Sequence, residues 1–134
     1  MDKVKGSCLC GAVKFTCDND FQQFHFCHCT QCQKTTGSAH VSNLFTRVEN
    51  IEWESGQEQV KRYDVPGRSL TSAFFTTCGS PVPYVSGSGK ALVVPAGSLD
   101  SAPSMAPQDN IFWAERAKWY EDGLLSTKFS GIPE

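Results

Sequence analysis

From Gly11 to Cys17 the chain alternates, with Val13, Phe15 and Cys17 on one face and Ala12, Lys14 and Thr16 on the other. A period of two marks a half-buried strand. Shorter alternating or β-branched runs recur at residues 24–27, 40–46, 51–54, 57–63, 70–75, 82–85, 91–94 and 111–113. Turn signals stand between them: Ser55-Gly56, Pro66-Gly67, Gly79-Ser80-Pro81 and Gly87-Ser88-Gly89. Short strands with frequent turns predict a mainly β protein built of antiparallel sheets. A helical turn or two is predicted only at Thr30–Thr36 and at 114–120. Residues 95–110, with three prolines, read as a loop wrapped over the sheet.

Neither a repeat nor a long linker interrupts this pattern, and 134 residues suit one domain spanning 1–134. With 40% apolar and 19% charged residues the composition is globular, which excludes an extended disordered chain. Twelve basic against 14 acidic residues give a net charge of −2. That balance offers no basic surplus for nucleic acid or an anionic membrane, and no apolar run approaches the ~20 residues of a spanning helix. Lys61, Arg62 and Arg68 make at most a local basic patch. The N-terminus runs directly into a cysteine motif without an apolar leader, so the expected location is the cytoplasm.

The cysteines change the picture most. Five of the seven lie in two tight groups, Cys8-x-Cys10 and Cys27-x-Cys29-x-x-Cys32. An odd, clustered set in a reducing compartment points to metal, and thiolate sulfur most often to zinc. The Cys29-x-x-Cys32 turn sets two sulfurs around one tetrahedral ion, and Cys27 joins them if His28 points away at the strand end. Three local thiolates leave a fourth corner. Either Cys78 or a histidine closes it, giving a structural knuckle, or it stays open for a thiol whose pKa the metal lowers. Three thiolates on Zn²⁺ carry a net charge of −1, making this a weaker Lewis acid than an imidazole site.

Cys8 and Cys10 share a second ion or serve the first, with Cys78 on its Gly79-Ser80-Pro81 turn as the evident partner. Cys17 is too far along a strand from Cys10 to join them and reads as a buried free thiol. His28, Lys34, Ser38 and His40 are candidate polar groups near the central triad. Each also has a plain reading, as a strand residue, a solvated charge or a turn residue. His25, alternating with Phe24 and Phe26, reads as structural. The tryptophans and phenylalanines read as core, with Trp119-Tyr120 a candidate cap on the site mouth.

Several strings, in order, resemble the glutathione-dependent formaldehyde-activating enzyme family, which includes relatives such as centromere protein V. They are Gly6-Ser7-Cys8-Leu9-Cys10-Gly11-Ala12-Val13-Lys14-Phe15; Cys27-His28-Cys29-Thr30-Gln31-Cys32-Gln33-Lys34 with Thr36-Gly37-Ser38; Cys78-Gly79-Ser80-Pro81; Pro95-Ala96-Gly97-Ser98-Leu99-Asp100; and Ile111-Phe112-Trp113 with Ala117-Lys118-Trp119-Tyr120. The resemblance implies a β-tent fold with two zinc sites. It assigns Cys27, Cys29 and Cys32 to the functional zinc, and Cys8, Cys10 and Cys78 to a structural one. The family activity it implies is carbon–sulfur lyase chemistry, the joining of glutathione and formaldehyde as S-(hydroxymethyl)glutathione.

One position departs from the family pattern. A cysteine three residues before Cys78 is expected, and Phe75 stands there. The second site is then left with three sulfurs plus another ligand, or without metal.

Three functions follow from these features. The first is a zinc-dependent carbon–sulfur lyase that joins a thiol such as glutathione to a small aldehyde. The second is a non-catalytic zinc-binding interaction module. The third, a redox switch, lacks a separate resolving cysteine.

Overall fold

The computed structural model describes residues 2–133. Ten strands and two short helices occur among them, in the order β1 (Lys3–Ser7), β2 (Lys14–Asp18), β3 (Gln23–Cys27), α1 (Thr30–Thr36), β4 (Val41–Thr46), β5 (Glu52–Ser55), β6 (Val60–Asp64), β7 (Thr71–Phe75), β8 (Tyr84–Val85), β9 (Leu92–Pro95), β10 (Asp109–Ile111) and α2 (Tyr120–Leu125). They form a three-stranded sheet β1-β2-β5, a five-stranded sheet β10-β3-β4-β9-β8 and the hairpin β6-β7. All pairings are antiparallel except β10 with β3, which is parallel. The fold is mainly β, as the alternation predicts.

The predicted face of β2 is the buried one. Phe15 and Cys17 join Val4, Phe21, Phe24, Leu44, Leu92 and Val94 in one core, while Val13 joins Cys8, Ala73, Phe75 and Val82 in another. Gly6 sits on β1 against Phe15, and a Cβ there would land inside the ring. The close approach of the two strands therefore requires glycine at this position.

The boundaries differ from the expectation where the backbone turns early. Residues 57–59 form a 3₁₀ turn after Gly56, whose φ is +82°, so β6 starts only at Val60. The strand expected at 111–113 ends at Ile111, because Phe112 takes φ +53°. The helix expected at 114–120 is instead a 3₁₀ turn at Trp113–Glu115 followed by α2. Within the predicted 95–110 loop, Ala96–Ser98 is a 3₁₀ turn and Asp109 and Asn110 open β10. No helix among the described residues is long and apolar enough to cross a membrane.

Candidate functional site

β3 delivers Cys27 at its last residue, and the chain turns at once into α1. Cys29 is the N-cap of that helix: its backbone is extended and its sulfur accepts the Cys32 N–H at 3.2 Å. One residue thus ends the strand, caps the helix and points a sulfur inward. The Cys27 and Cys32 sulfurs lie 3.4 Å apart, and all three fall within 4.8 Å of one another. Sulfurs on a tetrahedral zinc at about 2.3 Å stand roughly 3.8 Å apart, so the triad fits such an ion.

The thiols are unequal. Burial raises Cys27 and raises Cys32 strongly. Burial opposes ionisation of Cys29 too, but the Cys32 N–H and the neighbouring sulfurs outweigh it and its pKa falls.

The second triad draws on distant parts of the chain. Cys8 and Cys10 lie on the turn after β1, their sulfurs 3.6 Å apart, and Cys78 completes a group that also lies within 4.8 Å. Here the Ser80 hydroxyl, 3.3 Å from the Cys78 sulfur, and then the Cys10 and Ser80 N–H groups hold the Cys78 thiol down to about 6. Phe75 supplies no ligand. Its ring is 2% exposed and packs in the core with Val13 and Val82, while its carbonyl accepts the Gly79 N–H at 2.8 Å. Backbone bonds hold the cysteine-bearing turn, and the Phe75 side chain packs in the core. Either triad could hold a metal ion, the second with three sulfurs. Cys17 belongs to neither; burial pushes its thiol up to about 11.

The polar candidates separate. His28, read as a possible strand residue facing solvent, is fully buried. Its Nε2 meets Asn110 Oδ1 at 2.9 Å, and its ring packs edge-on against Trp113 and Tyr120. β10 covers β3 in parallel, and that pairing closes over His28. Gln33 Nε2 donates to the carbonyls of His28 and Glu115, and Thr30 N–H donates to Glu115 Oε1. The segment after β10 is thereby stapled to the thiolate loop.

Lys34 and Ser38 lie around a shallow depression beside Trp119. His25 pairs with Asp109 and packs on Phe45, a structural placement. His40 stacks on Phe26 with its Nδ1 3.3 Å from the Ser42 hydroxyl, and burial lowers its pKa.

Sequence reasoning missed the cavity. About 620 Å³ in volume, it touches Cys32 of the first triad and Cys8 of the second. β4 contributes Ser42 and Asn43, β7 Thr71 and Ser72, and His40 lies at its wall. The 95–110 segment adds Pro95, Gly97, Ser98 and Asp100. Trp119 and Tyr120 do not line this cavity; Trp119 borders the depression with Thr30 and Lys34, and Tyr120 packs on His28. The only sequence signal for it was the run of small hydroxyl residues in strands otherwise apolar.

Comparison with known proteins agrees with this geometry. The model of the family described as "Glutathione-dependent formaldehyde-activating enzyme" matches residues 3–115. A crystal structure of a Rhodobacter sphaeroides protein superposes with a TM-score of 0.62 at 19% identity, covering 79% of this chain and 98% of that one. No curated protein matches the sequence.

Proposed function

The chain belongs to the glutathione-dependent formaldehyde-activating enzyme family, and from that premise we propose that it is a zinc-dependent carbon–sulfur lyase joining a thiol, with glutathione as the family's named one, to a small aldehyde. The observation that carries the reading is the opening of the Cys27, Cys29, Cys32 triad, through Cys32, onto a cavity large enough for a small molecule. A zinc ion held by Cys27, Cys29 and Cys32 would supply a thiophilic centre that lowers the pKa of an incoming thiol.

The chain's own residues do the rest. Cys29, fixed by the Cys32 N–H, and Cys27, fixed by β3, hold the triad's geometry before any ligand arrives. The cavity wall positions the aldehyde against the thiol sulfur. As the S–C bond forms, the carbonyl π pair moves to oxygen, which takes up the proton the thiol gave; the product is RS–CH₂–OH and nothing else is consumed. His40, at the cavity wall, is the group that can pass that proton on: its Nδ1 lies beside the Val41 carbonyl and the Ser42 hydroxyl, and burial lowers its pKa, which disfavours lasting protonation. Cys8, Cys10 and Cys78 would hold a second metal ion, with Cys8 itself in the cavity wall. Residues 1–134 act as one such domain, in the reducing cytoplasm where the thiols stay free.

A second reading, a zinc-stabilised interaction module, is favoured by one observation: Leu124, Leu125, Phe129 and Ile132 all present apolar surface to solvent. Zinc per chain by native mass spectrometry, with and without glutathione, on wild type and Cys29→Ser, distinguishes the two. The enzyme requires a glutathione adduct that disappears together with one zinc in Cys29→Ser, and faster exchange of formaldehyde into the adduct by NMR. Zinc without any adduct supports the module.

A further inference from the structure

Negative charge develops at one atom when a thiol adds to an aldehyde, the carbonyl oxygen, and a group that steadies it needs a free donor in the cavity. Most hydroxyls lining the cavity are already committed. Ser7 donates to Asp100 Oδ1 at 2.7 Å, Thr71 to Asp64 Oδ1 at 2.6 Å and Ser98 to the Pro95 carbonyl at 2.6 Å. Thr35 and Thr36 both donate to the Cys32 carbonyl. Ser42 sits against the His40 ring, and Ser80 against the Cys78 sulfur. Ser72 and Tyr84 remain, without such a bond among the described residues. Of these, Tyr84 is firmly held. It pairs with Val93 across β8 and β9 and packs on the core of Val13, Phe75 and Val82. The Arg62 guanidinium lies 5.7 Å from its ring centroid and is fixed there by Asp64, with Nε 3.0 and 3.1 Å from the two carboxylate oxygens.

We propose that Tyr84 is a catalytic residue whose O–H donates a hydrogen bond to the aldehyde oxygen as the S–C bond forms. The proposal rests on the reading of the cavity as the site where thiol and aldehyde meet, and it adds the group that receives the developing charge. Cys32 of the first triad lines the same cavity. Burial pushes the Tyr84 phenol up to about 12, and the Cys32 and Cys27 sulfurs lie near enough to add to the rise, against a smaller pull from Arg62. The hydroxyl therefore holds its proton at neutral pH and acts as a donor. A phenol is also a stronger donor than the alcohol of Ser72. In the step itself the sulfur supplies the pair for the new S–C bond, the carbonyl π pair moves to oxygen, and the thiol proton reaches that oxygen by way of His40. Tyr84 keeps its own proton and ends the turnover unchanged.

The test is Tyr84→Phe in the zinc-loaded protein, with exchange between formaldehyde and its glutathione adduct followed by NMR. The ring stays, so the Arg62 contact and the core packing survive. The catalysed rate at saturating substrate is expected to fall about a hundredfold, the usual cost of one donor to a developing oxyanion. Glutathione affinity by calorimetry, zinc per chain and the melting midpoint should match wild type. Tyr84→3-fluorotyrosine keeps an O–H of greater acidity and should equal or exceed the wild-type rate at neutral pH; it carries the test if Tyr84→Phe fails to fold. An undiminished rate in Tyr84→Phe, or a fluorotyrosine rate far below wild type, overturns the assignment and leaves the enzyme reading standing. So does a loss that appears in Ser72→Ala and not in Tyr84→Phe. A fall in rate accompanied by loss of zinc or a lowered melting midpoint makes Tyr84 structural and overturns the assignment as well. Wild-type exchange no faster than the uncatalysed reaction overturns the enzyme reading and the role of Tyr84 together.

Discussion

The two cysteine triads bring three sulfurs to similar separations by opposite means. Cys27, Cys29 and Cys32 lie within six consecutive residues, and one strand-to-helix turn sets all three. Cys8, Cys10 and Cys78 come from two turns far apart in the chain. The first triad is locally encoded and then stapled down by Gln33 and Glu115; the second is encoded by the fold, since Cys8 is itself part of a core with Phe75. In the second, the buried Phe75 ring packs in the same core as Cys8, Val13 and Val82, so apolar packing ties β7, which leads into the Cys78 turn, to the Cys8 loop.

The largest effect expected from breaking this comparison is that of Cys29→Ser. It removes a sulfur while the serine hydroxyl can still accept the Cys32 N–H and cap α1, so one zinc per chain and all thiol binding should disappear without loss of the helix, as read by native mass spectrometry and calorimetry. The second triad's metal should remain. Phe75→Cys probes the other side. Deleting the ring should destabilise the metal-free protein by about 3–4 kcal/mol, the usual cost of emptying a core aromatic site. The restored fourth sulfur should at the same time slow zinc loss to a chelator by about tenfold or more. A variant that loses stability without gaining zinc retention would show that Phe75 does more than replace a ligand.

A smaller effect comes from the seventh cysteine, which tests that neither triad is involved. Cys17 is buried with its pKa raised to about 11. The unfolded chain releases that proton from about pH 9 while the folded one keeps it, so stability falls as pH rises between the two values. About 2–3 kcal/mol is at stake. Urea midpoints at pH 8 and pH 10.5 should differ less in Cys17→Ala than in wild type, under reductant. The smallest effect is that of Gln33→Ala, which removes two hydrogen bonds to backbone carbonyls and should cost about 1 kcal/mol. Its loss should raise amide exchange around residues 28–36 and leave residues 8–10 and 78 unaffected.

The pattern along the sequence was sufficient for β2, β3, β4, β7 and β9, because each buries alternate or continuous apolar residues, and for α1, which its cysteine cap and Gly37 delimit. β1 was not legible: Lys3, Lys5, Gly6 and Ser7 carry little strand propensity, and the strand exists because Val4 and the gap at Gly6 fit Phe15. For β10 the run read at 111–113 marked only its last residue, Ile111, because Asp109 and Asn110 carry no apolar side chain. With it went the burial of His28, since the covering residues come from beyond position 108. Both triads could be grouped from spacing and resemblance, but the cavity that joins them is a product of sheet assembly and left only a scatter of serines and threonines.

The staple between the two ends of the molecule also orders events in time. His28 and Thr30 find Asn110 and Glu115 at sequence separations of 82 and 85 residues. On a chain emerging from the ribosome, Cys27, Cys29 and Cys32 are complete as a ligand set when α1 appears, whereas Cys8 and Cys10 must wait for Cys78. The central triad can therefore capture metal before the sheet that will enclose it has been synthesised, and its clamp closes last.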